Sequence, residues 1–403
     1  MIGKNCFFSL LWALIALFVF HPANAQPTDS ALVAAPLPTD SLEISLLTCS
    51  PHSEVYSLYG HTAIRVHDKA SGSDIAVNYG LFDFNQPHFV LRFVFGLTDY
   101  SMGSVPFRYF EMEYRERGSS VTEQVLNLTH EEKVRILQAL EANSRNPIYR
   151  YNYFHDNCTT RARDMLLSHI DGEVKFTSAA DSSATFRSMV HDWNEDSPWA
   201  RFGNDILLGV GADKKTTREE RQFLPDNLMK DFANATIVGD SVRPLVLRTE
   251  TVVPAGLQIT EKGFPLRPWV CALILLAITL LVTWIEWRRH RIFWGYDLLL
   301  MVACGLAGLL LTAMIFSQHP TVNLNLQILL FNPLPLIFAI PVVRAAIRHK
   351  RHWWWKWSLG LLILFFIGSF FQHYAEGMLI LALSLLGRDL QAFFWMKDKK
   401  NEG

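Results

Sequence analysis

Two short stretches carry residue types that could do covalent chemistry. In YNYFHDNCTTRARDML (Tyr151–Leu166), Cys158 stands where a helix is expected to begin. Asp156 or Asn157 can cap that helix, and Ala162, Met165, Leu166 and Ile170 follow at helical spacing. A thiol in a first turn sees the positive end of the helix dipole and unpaired N–H groups. Both favour thiolate, the nucleophilic form. In SLYGHTAIRV (Ser57–Val66), His61 opens an expected strand directly after Gly60. An imidazole meeting the thiol would complete an activated Cys–His pair, and the helix start could give an N–H to the oxyanion of an acyl intermediate. Neither signal is specific alone. A cysteine at a helix start is more often a small buried residue, and a lone strand histidine more often hydrogen-bonded structure.

These residues need a framework. Strand-like runs are Ser41–Thr48, His61–Asp68, Ile75–Phe84 after a KASGSD turn, and Val121–Leu128. Thr129 with Glu132 forms a capping-box pattern, and Val134, Leu137 and Leu140 form an apolar stripe behind it. Residues 180–235 read as helices and loops, and Ser241–Val253 as a late strand. The expectation is an α+β domain.

The chain has 403 residues, enough for at least two domains. Lys plus Arg is 37 and Asp plus Glu 38, a net charge of -1 that argues against a broad nucleic-acid face. Charged residues make up 19%, below the roughly 25% of soluble domains, and they thin out after Phe264. Residues 1–25 read as a signal peptide: Lys4, an apolar Phe7–Phe20 core, then Ala23-Asn24-Ala25. A Pro-rich arm, 26–40, follows. Five membrane spans are expected at Pro268–Glu286, Tyr296–Phe316, Leu324–Val343, Trp357–Phe371 and Met378–Trp395. Arg288, Arg289 and Arg291 follow the first, Arg344 to Lys356 the third, and Lys397 to Lys400 the fifth. By the positive-inside pattern, residues 26–266 then face the periplasm and the tail 397–403 the cytoplasm. The expected location is a bacterial inner membrane, with 267–396 forming an all-α five-helix transmembrane domain. Asn332-Pro333 and Pro335 should bend the third span.

Of five cysteines, Cys49 and Cys158 are the two expected in the exported domain, and an oxidising compartment would permit a disulfide between them. TCSPH around Cys49 offers less activation than NCTTR. There is no CxxC pair, nucleotide loop or convincing metal set, so no cofactor or metal is expected.

Around the pair, Asn78 on the next strand is the candidate for orienting His61, with Asp83 a rival and a backbone-bonded amide the bland alternative. The Cys158 N–H, Tyr56 or Tyr59 could face the oxyanion. Arg65 and Arg161 could fork onto a lipid phosphate or simply meet solvent. His319, Asn323 and Asn325 sit in the SQHPTVNLN loop, where polar groups are costly unless used. They could bind a lipid head group, dock the exported domain or bond between helices. The aromatic stretch Phe89–Phe110 could dip into the interface or fold as a core hairpin.

His61-Thr62-Ala63-Ile64 followed far downstream by Asn157-Cys158 resembles the permuted papain-like enzymes of the lecithin:retinol acyltransferase group. Thr159-Thr160-Arg161 departs from that group's Glu-His-Phe. SLLTCSP, SLYGHTAIRV, VNYGLFDF, YFHDNCTTR, FLP at Phe223–Pro225 and SQHPTVNLNLQILLFNPLPL together resemble the Lnb-type lipoprotein N-acyltransferases, from about Ser45 to the C-terminus. The first resemblance implies a permuted papain-like fold, and the second an exported Cys–His domain followed by several spans in a lipid bilayer. The second also implies transfer of an acyl chain from membrane phospholipid to the α-amine of the diacylglyceryl cysteine of a lipoprotein, with Cys158 as nucleophile and His61 as base. Two other functions compete: a cysteine amidase or peptidase of cell-wall peptide, for which one span would suffice, and a non-catalytic membrane scaffold.

Overall fold

The computed structural model describes residues 41–52, 57–83, 87–177, 183–258 and 263–396. The expected signal, the Pro-rich arm, Tyr56 and the tail 397–403 lie outside them.

Strand β1 (Leu42–Cys49) is buried on both faces, which fits a strand covered from both sides. Its neighbours are β2 (His61–Asp68), β3 (Ser73–Leu81), β4 (Asp99–Pro106), β5 (Val121–Leu126), β6 (Ile148–Arg150) and, after a small sheet of β7 (Glu173–Phe176), β8 (Ala235–Val238) and β9 (Val242–Pro244), β10 (Val246–Val253). The large sheet runs β10-β5-β1-β2-β3-β4-β6, every pair antiparallel. The late strand expected over Ser241–Val253 is therefore two strands in two sheets. Pro244 has no N–H to extend a ladder, and buried Leu245 makes the passage between them.

Helices follow in chain order: α1 (Phe89–Val94), α2 (Phe107–Glu116), α3 (His130–Arg145), α4 (Cys158–Leu167), α5 (Phe186–Trp193), α6 (Pro198–Leu207), α7 (Arg218–Arg221) and α8 (Pro225–Ala233). Leu42, Ile44 and Leu46 point to one face of the sheet, against Ile136 and Leu140 of α3, Leu166 of α4 and Phe232 of α8. Leu47 and Cys49 point to the other, against Phe107, Phe110 and Tyr114 of α2. The period of two along the strand sorts the side chains. Each fully buried Leu or Ile contributes roughly 1.5–3 kcal/mol. The capping box expected at Thr129 is present: the Thr129 hydroxyl takes the Glu132 N–H, and Glu132 takes the Thr129 N–H. The stretch Phe89–Phe110 is α1, β4 and the start of α2, not a hairpin.

The C-terminal region is helical: α9 (Pro268–Arg289), α10 (Trp294–Ile315), a 3-10 turn at Leu326–Leu329 leading to α11 (Leu334–Ile347), α12 (Trp354–Gly368) and α13 (Met378–Trp395). Among the described residues four stretches are long and apolar enough to cross a bilayer: α9, α10, Leu326–Ile347 and α13. The fourth expected span falls on α12, whose 15 residues are fewer than the about 20 a straight crossing needs. The third is broken at Asn332-Pro333, because Pro333 and Pro335 cannot donate to the preceding turn. A buried cation, Arg388 of α13, joins Glu286 of α9 at 2.5 Å and Asp297 of α10 at 2.7 Å. An isolated charge at this depth would be costly, so the partners are what make it tolerable.

The exported and helical regions interlock. The last turn of α6 leaves carbonyls without helical partners. Asn325 Nδ2 donates to the Ile206 carbonyl at 2.7 Å, Gln327 Nε2 to Asp205 at 2.7 Å and Gln372 Nε2 to Leu208 at 3.0 Å. Two backbone bonds, Gly209 N–H to Thr321 and Val210 N–H to Leu324, both 2.8 Å, extend the seam. Met314 and Val322 join the same apolar cluster as Phe154, Phe186 and Phe223. Docking is thus where Asn325 is used.

Replacing Gln327 by Leu leaves the Ala375 N–H unpaired in a buried seam and the Asp205 carbonyl with only the 3.5 Å contact from Arg187 Nη1. A loss of about 1–3 kcal/mol is expected, read as a lowered thermal midpoint of the detergent-solubilised protein. An unchanged midpoint would remove this seam from the account of stability.

Candidate active site

His61 begins β2 because Gly60 turns the chain before it. Gly60 has φ 77°, and a Cβ there would lie 2.5 Å from the Cys49 carbonyl oxygen, so only glycine lets β2 start against β1. Cys49 and His61 are register partners. The β2–β3 ladder ends at the Ala63–Asn78 pair. Side chains two apart share a face, so His61 and Asn78 are diagonal neighbours on one side of the sheet. Asn78 Oδ1 lies 3.0 Å from His61 Nε2, which holds the tautomer with its proton on Nε2 and leaves Nδ1 for another partner. Asp83, the rival, is exposed.

Cys158 is the first residue of α4. Asn157 caps the helix: its Oδ1 takes the Thr159 and Thr160 N–H groups, both at 2.9 Å, and its Nδ2 donates to the Tyr153 and Phe223 carbonyls at 3.0 and 2.9 Å. Thr160 Oγ1 takes the Asn157 N–H at 2.9 Å, completing a box. With those amides engaged, the Cys158 N–H is the first-turn amide that the Asn157 side chain leaves uncapped. The hydroxyls of Thr62 and Thr159, both fully buried, meet at 3.1 Å and pin the start of β2 to the first turn of α4.

The thiol and imidazole of this pair are coupled. Burial acts to raise the Cys158 thiol, but the His61 charge and hydrogen bond, aided by the Thr62 N–H and the Thr159 hydroxyl, hold it below its ordinary value. Burial acts to lower the His61 imidazole, and the Cys158 charge and hydrogen bond, then Asn78, carry it above its ordinary value. Shifts of these signs mean that each partner favours the charged form of the other. Cys158 is half-buried and both it and Cys49 are free thiols, so the disulfide alternative is not formed here. Burial raises the Cys49 thiol far above its ordinary range, which leaves it protonated and inert.

Other expected contacts fall elsewhere. The Arg65 fork is taken by Asp74, at 2.8 and 2.7 Å, and Glu123, at 2.8 Å, and its guanidinium lies 3.6 Å over the Phe107 ring. Arg161 forks onto Asp156 at 2.6 and 2.8 Å and stacks 3.5 Å over the Tyr149 ring. The Tyr59 hydroxyl takes hydrogen bonds from Asn194 and Asn204, away from the thiol. His319 is half-buried beside Phe93, and its burial lowers its imidazole; Asn323 is exposed. Sequence reasoning missed the Thr62–Thr159 link, although a Thr-Thr run behind a helix-start cysteine was a signal. It also missed Tyr149, for which the sequence carries none.

The chain matches two family models: the Lnb N-terminal periplasmic domain over residues 30–192 and the Lnb transmembrane domain over residues 259–400. No curated protein and no solved structure matches it.

Alkylation by iodoacetamide against pH checks the paired thiol. The reactive fraction of Cys158 should persist well below the about 8.5 of a free thiol, because the imidazolium keeps it ionised. In His61→Ala burial is opposed only by the Thr62 N–H and the Thr159 hydroxyl, and the midpoint should rise. Equal midpoints in both proteins would sink the pairing.

Proposed function

This chain belongs to the Lnb family of lipoprotein N-acyltransferases, and from that premise we propose that it moves a fatty acyl chain from a membrane phospholipid, through a thioester on Cys158, to the α-amine of the diacylglyceryl cysteine of a lipoprotein. We take residues 26–266 as the catalytic domain on the periplasmic side of the inner membrane and 267–396 as the membrane domain, with α12 as a fifth, short crossing. The strand-histidine, helix-cysteine order supports a permuted papain-like reading of the catalytic domain. The observation that carries the proposal is the Cys158–His61 pair, in a domain whose α6 is clasped by the outer loops of the membrane helices.

The reaction balances on this pair. The Cys158 thiolate adds to the ester carbonyl, and the carbonyl electron pair moves to oxygen. Collapse of that oxyanion expels the lysophospholipid alkoxide, which takes the proton from the His61 imidazolium. The amine then adds to the thioester, neutral His61 takes its proton, and thiolate leaves, restoring the starting ion pair. Asn78 keeps the ring turned toward sulfur through both halves. The Cys158 N–H, at the positive helix end, faces the oxyanion. Arg65 and Arg161 are left out, because carboxylates already occupy their forks. His319 and Asn323 stand at the outer rim, where a lipid head group would pass. A membrane donor and a membrane acceptor give the clasp a purpose that a cell-wall amidase would lack.

Intact-mass analysis of the purified protein tests this. An acyl adduct on Cys158 that hydroxylamine removes is expected. Cys158→Ala and His61→Ala should lose both the adduct and one acyl chain on cellular lipoprotein, while Cys49→Ser keeps both. Full transfer by Cys158→Ala would end the proposal, and release of amine from wall peptide without an adduct would favour the amidase.

A further inference from the structure

Two tyrosine hydroxyls in this half of the domain are buried with no acceptor for their proton: those of Tyr79 and Tyr149. A phenol proton without an acceptor is a cost that a fold rarely leaves standing. Tyr149 is singular among them in its position. It sits at the centre of β6, paired with Tyr100 of β4, and its residue is 8% exposed. The place a Cβ would take on Gly80 lies 4.0 Å from Tyr149 Oη and 3.5 Å from Cys158 Cβ. Gly80 has φ 85° and sits in the register shift between Asn78 and Leu81. The place a side chain would take on Gly80 is thus bordered by the phenol oxygen, the thiol's carbon and, at 3.9 Å, the Tyr151 ring.

The ring is fixed from several directions. The Arg161 guanidinium covers one face at 3.5 Å, itself held by the Asp156 fork, and Tyr79 meets the ring edge-to-face at 6.3 Å. The backbone N–H of Gly80 interacts with the phenol oxygen, but it can only give a proton, so the hydroxyl's own proton still lacks an acceptor. Burial raises the phenol far above its ordinary range, so the proton stays in place at working pH. Cys158 acts electrostatically on Tyr149, as it does on Tyr151 and Tyr153.

The geometry points to Tyr149 as a second oxyanion donor, working with the Cys158 N–H beside Gly80, the glycine that both residues border. This rests on the acyl-transfer reading above. When the thiolate adds to the ester carbonyl, the carbonyl electron pair moves to oxygen. Tyr149 gives that oxygen a hydrogen bond without losing its proton. When the pair returns, the hydrogen bond is released. The same donor serves the second half, when the amine adds to the thioester carbonyl. Because the orphaned proton finds its acceptor only as charge develops, its contribution falls on the transition state and not on substrate binding.

The test is Tyr149→Phe in the full-length protein, with Tyr79→Phe as a control that removes a neighbouring orphan hydroxyl. The probe is a defined phosphatidylethanolamine in mixed micelles, and the readout is the rate of acyl-Cys158 formation by intact mass. Tyr149→Phe should lower kcat about 100-fold with KM within about threefold. Tyr79→Phe should stay near wild type. If wild type acylates Cys158 and Tyr149→Phe matches it, or if both variants lose rate alike, the tyrosine's role falls and the acyl-transfer reading stands. If wild type itself forms no adduct, both fall.

Discussion

A thiolate beside an imidazolium exists in a half-buried place only if more positive character converges on sulfur than burial takes away. At Cys158 the contributors come from separate parts of the chain: His61 from the start of β2, the Thr62 N–H beside it, and the first turn of α4. Most of the exported domain can be understood as what holds one strand end against one helix start. Gly60 lets β2 begin beside Cys49, the two threonine hydroxyls lock strand to helix, and Asn157 closes the helix while tying it to Phe223. The FLP motif thereby acquires a physical role. Its first carbonyl receives the capping asparagine, and its proline lies against the Gly60 turn.

The same economy governs the seam with the membrane helices. A helix end that stops in a buried place must have its last carbonyls answered. Those of α6 and the residue beyond it are answered by three amides from outer loops. Apolar packing runs across the seam, from Phe154 and Phe223 near the thiol to Met314 and Val322. The domain is therefore joined to the helical region by a packed, hydrogen-bonded seam. Such a seam matters when the ester to be attacked lies at the lipid boundary. Arg388 plays the corresponding part deeper down, joining α9, α10 and α13 through two carboxylates. An ion cluster of this kind fixes which helices are neighbours, because any other pairing strands a charge.

Several residues that looked available for ligands turn out to be internally satisfied. Arg65 stands on a strand beside acidic neighbours only in the folded sheet, where Asp74 and Glu123 reach it from β3's start and from β5. Arg161 was one turn from the thiol as expected, yet its fork closes on Asp156 and its plane on Tyr149. In both cases the competing carboxylate or ring stood on another element or in another conformation, so spacing along the chain could not reveal it.

The sequence by itself determined what depends on nearby residues. These features were the position of β2, the Thr129 and Asn157 caps, the break at Asn332-Pro333, the apolar stretches and the special position of Cys158. Each follows from a local rule: a period, a cap, a missing N–H or a run of apolar side chains. Only the tertiary structure decided which partners meet. It turned the imidazole toward the thiol, set Asn78 diagonal to His61 and kept Cys49 apart as a buried free thiol. It also split the late strand between two sheets, shortened the fourth apolar stretch to α12 and brought Tyr149 and Cys158 to the same glycine, Gly80. The reason is that these outcomes are decided by contacts between residues tens to hundreds of positions apart. Their energies depend on ångström-scale distance and on exclusion of water, and neither quantity is written in the order of the residues.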